Sequence, residues 1–151
     1  MERARAVAIL VVDEQSMTQG DMPVLLDSVR VLVSVRRTSA QIALPGGKVE
    51  TRDASLSHAA ARELQEETGL TFPAENFAIE HTLHQPDWII TLVSVVCAVD
   101  RQSEVRNMEP EKHGPWTWRA WQDLKNEASE NVFAPLRVLL EDVTTISPVQ
   151  R

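Results

Sequence analysis

Residues 46–70, GGKVETRDASLSHAAARELQEETGL, constrain this chain more than any other stretch. From Asp53 to Thr68 the pattern is helical. Asp53 or Ser55 can cap the start, and Leu56, Ala60 and Leu64 recur four apart to make one apolar stripe. Gly69 stands where a helix-ending glycine belongs, with Leu70 placed for the apolar contact that accompanies it. Glu63, Glu66 and Glu67 put three carboxylates into five residues of that helix. At about 100° per residue, Glu67 lies about 40° from Glu63, and Glu66 about 60° to the other side. All three therefore leave one flank, beside the apolar stripe and near the edge of the core. Like charges three and four residues apart repel, so helix stability alone does not favour them. A divalent cation removes the objection, and carboxylate-rich oxygen sites suit Mg2+ or Mn2+. Taken alone, RELQEE also reads as a solvated face in which Arg62 and Glu66 form an ordinary i,i+4 pair.

Composition narrows the partners. At 151 residues the chain has the length of one domain, expected to span 1–151. With 43% apolar residues, 25% charged residues, five glycines and eight prolines, a disordered or low-complexity protein is excluded. Cys97, the one cysteine, excludes a disulfide framework and a cysteine-cluster zinc site. No apolar run approaches the ~18–20 residues of a membrane span, and the first five residues lack the apolar stretch of a signal peptide. A soluble, cytoplasmic protein with no membrane partner is the expectation. Twenty-two acidic against 15 basic residues give a net charge of −7, a poor footprint for a nucleic acid polymer. A small anionic substrate fits this balance if metal ions supply positive charge locally.

Around the helix the chain reads as strands. Arg5 to Val12 is a continuous, valine-rich apolar run expected to be a buried strand. A polar stretch with a turn signal at Gly20-Asp21 follows. Val29 to Val35 is a second strand, and Ile42 to Leu44 a short third, before Pro45-Gly46-Gly47 breaks regular structure. Phe77 to His84 and Trp88 to Val99, separated by Gln85-Pro86-Asp87, read as a hairpin. Arg101 to Pro115 is loop-like, Trp116 to Ala120 a short strand, and Trp121 starts a helix. Val132 to Val143 has the apolar spacing of an amphipathic helix. Strands flanked by two such helices predict a three-layer α/β arrangement with a mixed sheet.

Gly47, Arg62-Glu63 with an apolar residue after it, Glu66-Glu67 and Gly69 with an apolar residue after it would coincide at these offsets on the order of once in 10⁸ start positions. The pattern resembles the Nudix box, G-x5-E-x7-R-E-U-x-E-E-x-G-U with U aliphatic. The resemblance implies an α/β/α sandwich and hydrolysis of a nucleoside diphosphate linked to a further group, with Mg2+ or Mn2+. It implies that Glu63 and Glu67 are metal ligands, that Glu66 is a further ligand or positions water, and that the Gly47 carbonyl completes the set. Arg62 would orient the glutamates through charge-assisted hydrogen bonds. The earlier box glutamate is Asp53 here, one residue further from Arg62 than the pattern has it, and Glu50 is the alternative for its role.

Asn107 to Lys112 and Trp116 to Leu124 look like a nucleoside triphosphate diphosphatase branch of that family, and Arg5 to Val12 and Leu44 to Gly47 fit it too. This implies nucleotide binding by Arg36, Gly46, Gly47, Thr91 and the Trp116 region. On a strand, Trp116 and Trp118 share one face and Trp121 belongs elsewhere, so Trp116 stays open to core packing or base contact. Glu109 and Glu111 lie where some relatives place an additional catalytic carboxylate, with solvated loop acids as the alternative. His81 and His84 are three apart on a strand and face opposite sides, which argues against shared ligation. Cys97 reads as a small buried residue. The expected function is a Mg2+- or Mn2+-dependent pyrophosphohydrolase that turns a nucleoside triphosphate into monophosphate and pyrophosphate. The alternatives are an ADP-ribose or nucleotide-sugar diphosphatase and a non-catalytic nucleotide-binding module. A homodimer is compatible with the resemblance.

Overall fold

The computed structural model describes residues 2–18 and 22–149, so the turn signal at Gly20-Asp21 lies outside the described residues. Strand β1 (Ala4–Asp13) is the axis of the sheet. It runs parallel to β7 (Trp88–Cys97) along its whole length, from the pair Ala4 and Trp88 to the pair Asp13 and Cys97. β7 in turn pairs antiparallel with β6 (Ala78–His84), the expected hairpin.

The other edge of β1 is shared. Its first half pairs antiparallel with β5 (Gly46–Lys48), and its end meets β3 (Arg30–Val35) at the pair Val12 and Val31. β3 then pairs with β4 (Ile42–Ala43) at one end and β8 (Thr117–Ala120) at the other. A separate two-stranded sheet joins β2 (Val24–Leu25) to β9 (Thr145–Ile146). The sequence reading of Pro45-Gly46-Gly47 as a break is corrected here. After Pro45 the two glycines and Lys48 form a strand, and at Gly46 only a residue without a Cβ can lie this close to β1. A Cβ on Gly46 would fall 2.1 Å from the Val7 carbonyl oxygen.

Side-chain alternation along β1 divides the core. Leu10 and Val12 face α2 (Trp121–Lys125) and α3 (Ala134–Asp142), meeting Trp121, Leu124, Leu136 and Leu139. Val7, Ile9 and Val11 face α1 (Leu56–Thr68), meeting Ala59, Ala60 and Leu64. Both faces are covered, which is why β1 reads as an unbroken apolar run instead of an alternating one. The result is the expected α/β/α sandwich around a mixed sheet.

Candidate active site

The α1 helix begins and ends as its sequence demands. Ser55 is the N-cap and accepts from the His58 amide at 3.1 Å. Gly69 closes the helix in the left-handed conformation at φ 78°, with Leu70 fully buried behind it. The segment that follows β7 is stitched onto this end of the helix. The Arg106 amide donates to the Thr68 carbonyl at 2.8 Å, and the Met108 amide to that of Glu67 at 3.1 Å. Carbonyls left without helical partners are thereby satisfied, and residues 107–114 arrive beside the glutamates. Asn107 Nδ2 donates to the His113 carbonyl at 2.9 Å, and the Gly114 amide to that of Val35 at 2.9 Å, which ties the loop to β3.

The three glutamates meet different surroundings. Glu67 is 2% exposed, and both of its carboxylate oxygens lie 3.3–3.4 Å from the Gly46 amide. Burial, then the neighbouring Glu63, pushes its carboxyl far above the usual carboxylate range. Glu63 sits over Gly47, where a Cβ would come within 2.5 Å of its carboxylate. Glu66 is more open and pairs with Arg62 at 3.3 Å and Arg52 at 3.6 Å. Arg62 also reaches Glu63 at 3.0 Å and the Lys48 carbonyl at 3.0 Å.

Asp53 grips Arg62 with two hydrogen bonds of 2.9 Å. Arg62 in turn holds the Asp53 carboxyl below the usual range. Glu50, the alternative considered for this position, lies 3.7 Å from Arg62 and instead binds Arg52 at 2.5 Å. Across from Glu67, His113 Nε2 lies 3.4 Å from Glu67 Oε1 and 3.8 Å from Glu109 Oε1. Burial holds the His113 imidazole below its usual pKa.

These groups border a cavity of about 640 Å³, within the range of small-molecule sites. Glu63, Glu66, Glu67, Gly46, Gly47 and Arg36 line it, as does Glu109, whereas Glu111 is exposed and outside it. Two expected nucleotide contacts are not brought there. Thr91 is 4% exposed, and alternation along β7 turns it to the α1 side with Val93 and Val95. The residues of β7 that do border the cavity are Trp88 and Ile90, one step out of phase. Trp116 packs into the α1-side core, its Nε1 donating to the Glu67 carbonyl at 3.1 Å and its ring 5.1 Å from that of His113. It therefore braces the site from behind.

Sequence reasoning missed Trp88, His113, Lys112, Lys48 and Phe133, all of which border the cavity. The alternation of Trp88 with Ile90 was a usable signal; for His113 the signal was indirect, the candidate acids Glu109 and Glu111 in the same loop. Phe133 holds the Arg36 guanidinium 3.9 Å above its ring. Cys97 is buried, which pushes its thiol up to about 11 and removes it from nucleophilic chemistry.

The chain matches the NUDIX domain family model over residues 2–140. The mouse mitochondrial coenzyme A diphosphatase NUDT8 is 31% identical over 110 residues, 71% of this chain and 52% of that protein. This chain thus spans about half the length of that curated relative. Among solved structures, a MutT Nudix hydrolase from Burkholderia pseudomallei superposes with a TM-score of 0.61 at 21% identity, over 95% of this chain and all of its own. The Nudix domain of Shewanella oneidensis NrtR, complexed with ADP ribose, superposes with a TM-score of 0.65 at 15% identity, over 92% of this chain and 85% of that one. The glutamate helix, the sandwich that carries it and a family match across most of the sequence agree: this chain belongs to the Nudix family.

Proposed function

We propose that this protein is a divalent-cation-dependent pyrophosphohydrolase that cleaves a nucleoside triphosphate to monophosphate and pyrophosphate. The observation that carries the reading is buried Glu67 beside half-buried Glu63, both set against the glycine backbone of β5 at the cavity wall. Two carboxylates pressed together out of water are unfavourable unless a proton or a cation sits with them. The surrounding donors are chiefly carboxylate and carbonyl oxygens, which fit Mg2+ or Mn2+. Glu63 and Glu67 would hold the ion, with Glu66 and the Gly47 carbonyl in support. Once bound, it neutralises phosphate oxygens and makes a water a better nucleophile toward phosphorus.

The chain's own residues supply the rest. Arg62, fixed by Asp53, sets the orientation of Glu63 and Glu66. Glu66 is the most solvent-accessible of the three carboxylates and would help to position the attacking water. Arg36, Lys48 and Lys112 bring cationic side chains to the cavity, which suits a triphosphate. Trp88 and Phe133 border it with aromatic rings that offer faces to a base. A second reading, cleavage of a diphosphate inside a larger nucleotide such as coenzyme A or ADP-ribose, is favoured by the coenzyme A diphosphatase named among the relatives.

A panel of nucleoside triphosphates, ADP-ribose and coenzyme A, each assayed with Mg2+ and Mn2+, separates the two. Pyrophosphate released in step with monophosphate supports the first, and dominant turnover of coenzyme A or ADP-ribose supports the second. Glu63→Gln and Glu67→Gln are each expected to lower kcat by ~10²-fold or more, the scale of lost electrostatic stabilisation of a transition state. Wild-type rates in both variants would refute the roles given to Glu63 and Glu67, and no turnover with either ion would leave a binding module.

A further inference from the structure

We propose that His113 Nε2 is a metal ligand beside Glu67 and Glu109, and that this nitrogen makes the site prefer a first-row transition ion over Mg2+. The proposal rests on the reading that the α1 glutamates bind a divalent cation, and adds a donor of a kind they do not supply. One ligand atom from each of Glu67, Glu109 and His113 lies within 4.8 Å of the other two. Donors at about 2.1 Å from a shared ion are at most about 4.2 Å apart. The two histidine distances, 3.4 and 3.8 Å, already meet that limit.

The ring is also built to serve. Its Nδ1 faces Ser34 Oγ at 3.5 Å, which leaves Nε2 directed at the carboxylates. Engaging the second nitrogen in this way is what orients metal-binding imidazoles. The backbone is fixed by a bridge between His113 and Arg36 and by the Asn107 side chain. The side chain is 15% exposed and that of Glu67 3%, so little water competes for the space between them. Mg2+ is hard, favours oxygen and keeps its waters, whereas imidazole suits Fe, Ni, Cu and Zn, the series of divalent ions that Mn2+ begins. A histidine held here therefore changes which ion binds, beyond adding one more contact.

Mn2+ is the probe. Electron spin-echo envelope modulation of Mn2+ bound to the full chain should show a directly coordinated nitrogen, its isotope pattern changing when histidine alone is labelled with 15N. His113→Gln should abolish that signal and weaken Mn2+ binding by ~10-fold or more, with Mg2+ binding altered by less than about threefold. Bound Mn2+ with no nitrogen coupling in the wild-type protein overturns the proposal, and needs no variant to fold. Glu63→Gln and Glu67→Gln separate this failure from that of the underlying reading. If both bind Mn2+ like wild type, the glutamate site itself is refuted. If both lose Mn2+ while wild type lacks nitrogen coupling, His113 alone is struck out.

Discussion

Arg62 faces four carboxylates, and the distances rank them. Asp53 takes two hydrogen bonds of 2.9 Å, Glu63 one of 3.0 Å, Glu66 contacts at 3.3 Å, and Glu50 stands at 3.7 Å. Asp53 thus reaches Arg62 from ahead of the helix, where it also accepts from the Glu50 amide at 2.8 Å. Asp53 holds Arg62, and Arg62 positions the glutamates. Asp53→Asn should lower stability at pH 7 by about 2 kcal/mol, the scale of a hydrogen bond to a charged group, and lower kcat with it. The sign of the pH effect follows from the depressed carboxyl. Its stabilising contribution is complete above the ordinary value of 3.8 and fades as the pH falls below that. Calorimetry of wild type and variant should therefore show melting curves that converge on acidification below about pH 4. A Tm gap independent of pH would mean that Asp53 acts through packing instead. Glu67→Gln should move stability the other way in metal-free protein, raising Tm at pH values above the ordinary carboxyl value of 4.5, because it removes the cost of keeping a buried carboxyl protonated beside Glu63.

At the scale of elements, the sequence was most legible where period and caps agreed. The α1 helix ran from its Ser55 cap to Gly69, and the β6–β7 hairpin turned at Gln85-Pro86-Asp87. Legibility failed where geometry came from a distant partner. Nothing local says that Gly46-Gly47 is a strand, since its partner, β1, lies some forty residues earlier. Thr91, which the resemblance assigned to nucleotide binding, lies one step of alternation away from the cavity-lining Ile90 and so on the other face of the sheet. The two glycines of β5 give contrasting tests. Gly46→Ala drives a Cβ into the Val7 backbone, at 2.1 Å, in a conformation of φ 155° that disfavours side chains. Rigid backbone has no easy way to yield, so the variant should lose about 3 kcal/mol or more, or fail to fold. Gly47→Ala instead meets the end of the Glu63 side chain, at 2.5 Å, which can rotate away. It should keep nearly all of its Tm while kcat falls by ~10-fold or more, since a displaced ligand misplaces the reacting water. Equal loss of stability in the two variants, or full activity in Gly47→Ala, would refute this division of roles.

At the scale of the molecule, the site is assembled from β5, the C-terminal half of α1, and residues 107–114, with α3 and the start of β7 completing the cavity. The box glutamates were readable because a helix keeps them together in sequence. His113 was not, because it reaches Glu67 only through the hydrogen bonds that dock its loop on α1 and β3. Among the described residues, no helix is long and apolar enough to cross a membrane. Because these segments meet only in the folded chain, an ion bound among them is linked to folding itself. At a hundred times its dissociation constant, an ion that binds only the native state adds about 2.7 kcal/mol. For a domain of this size that corresponds to a Tm rise of roughly 5–11 °C. The effect should concentrate where the loop meets the helix, at the Arg106 and Met108 amides bonded to α1 carbonyls, relative to the Ser147 amide, which is bonded to Glu80 at 2.9 Å. Hydrogen exchange with and without Mn2+ should slow more at the first two than at the third, with chelator restoring the original rates. Glu63→Gln should lose both the Tm rise and the local protection. A metal-free Tm that neither Mg2+ nor Mn2+ raises, with unchanged exchange at Arg106 and Met108, would instead mean that Glu63 and Glu67 share a proton and that the cavity works without an ion.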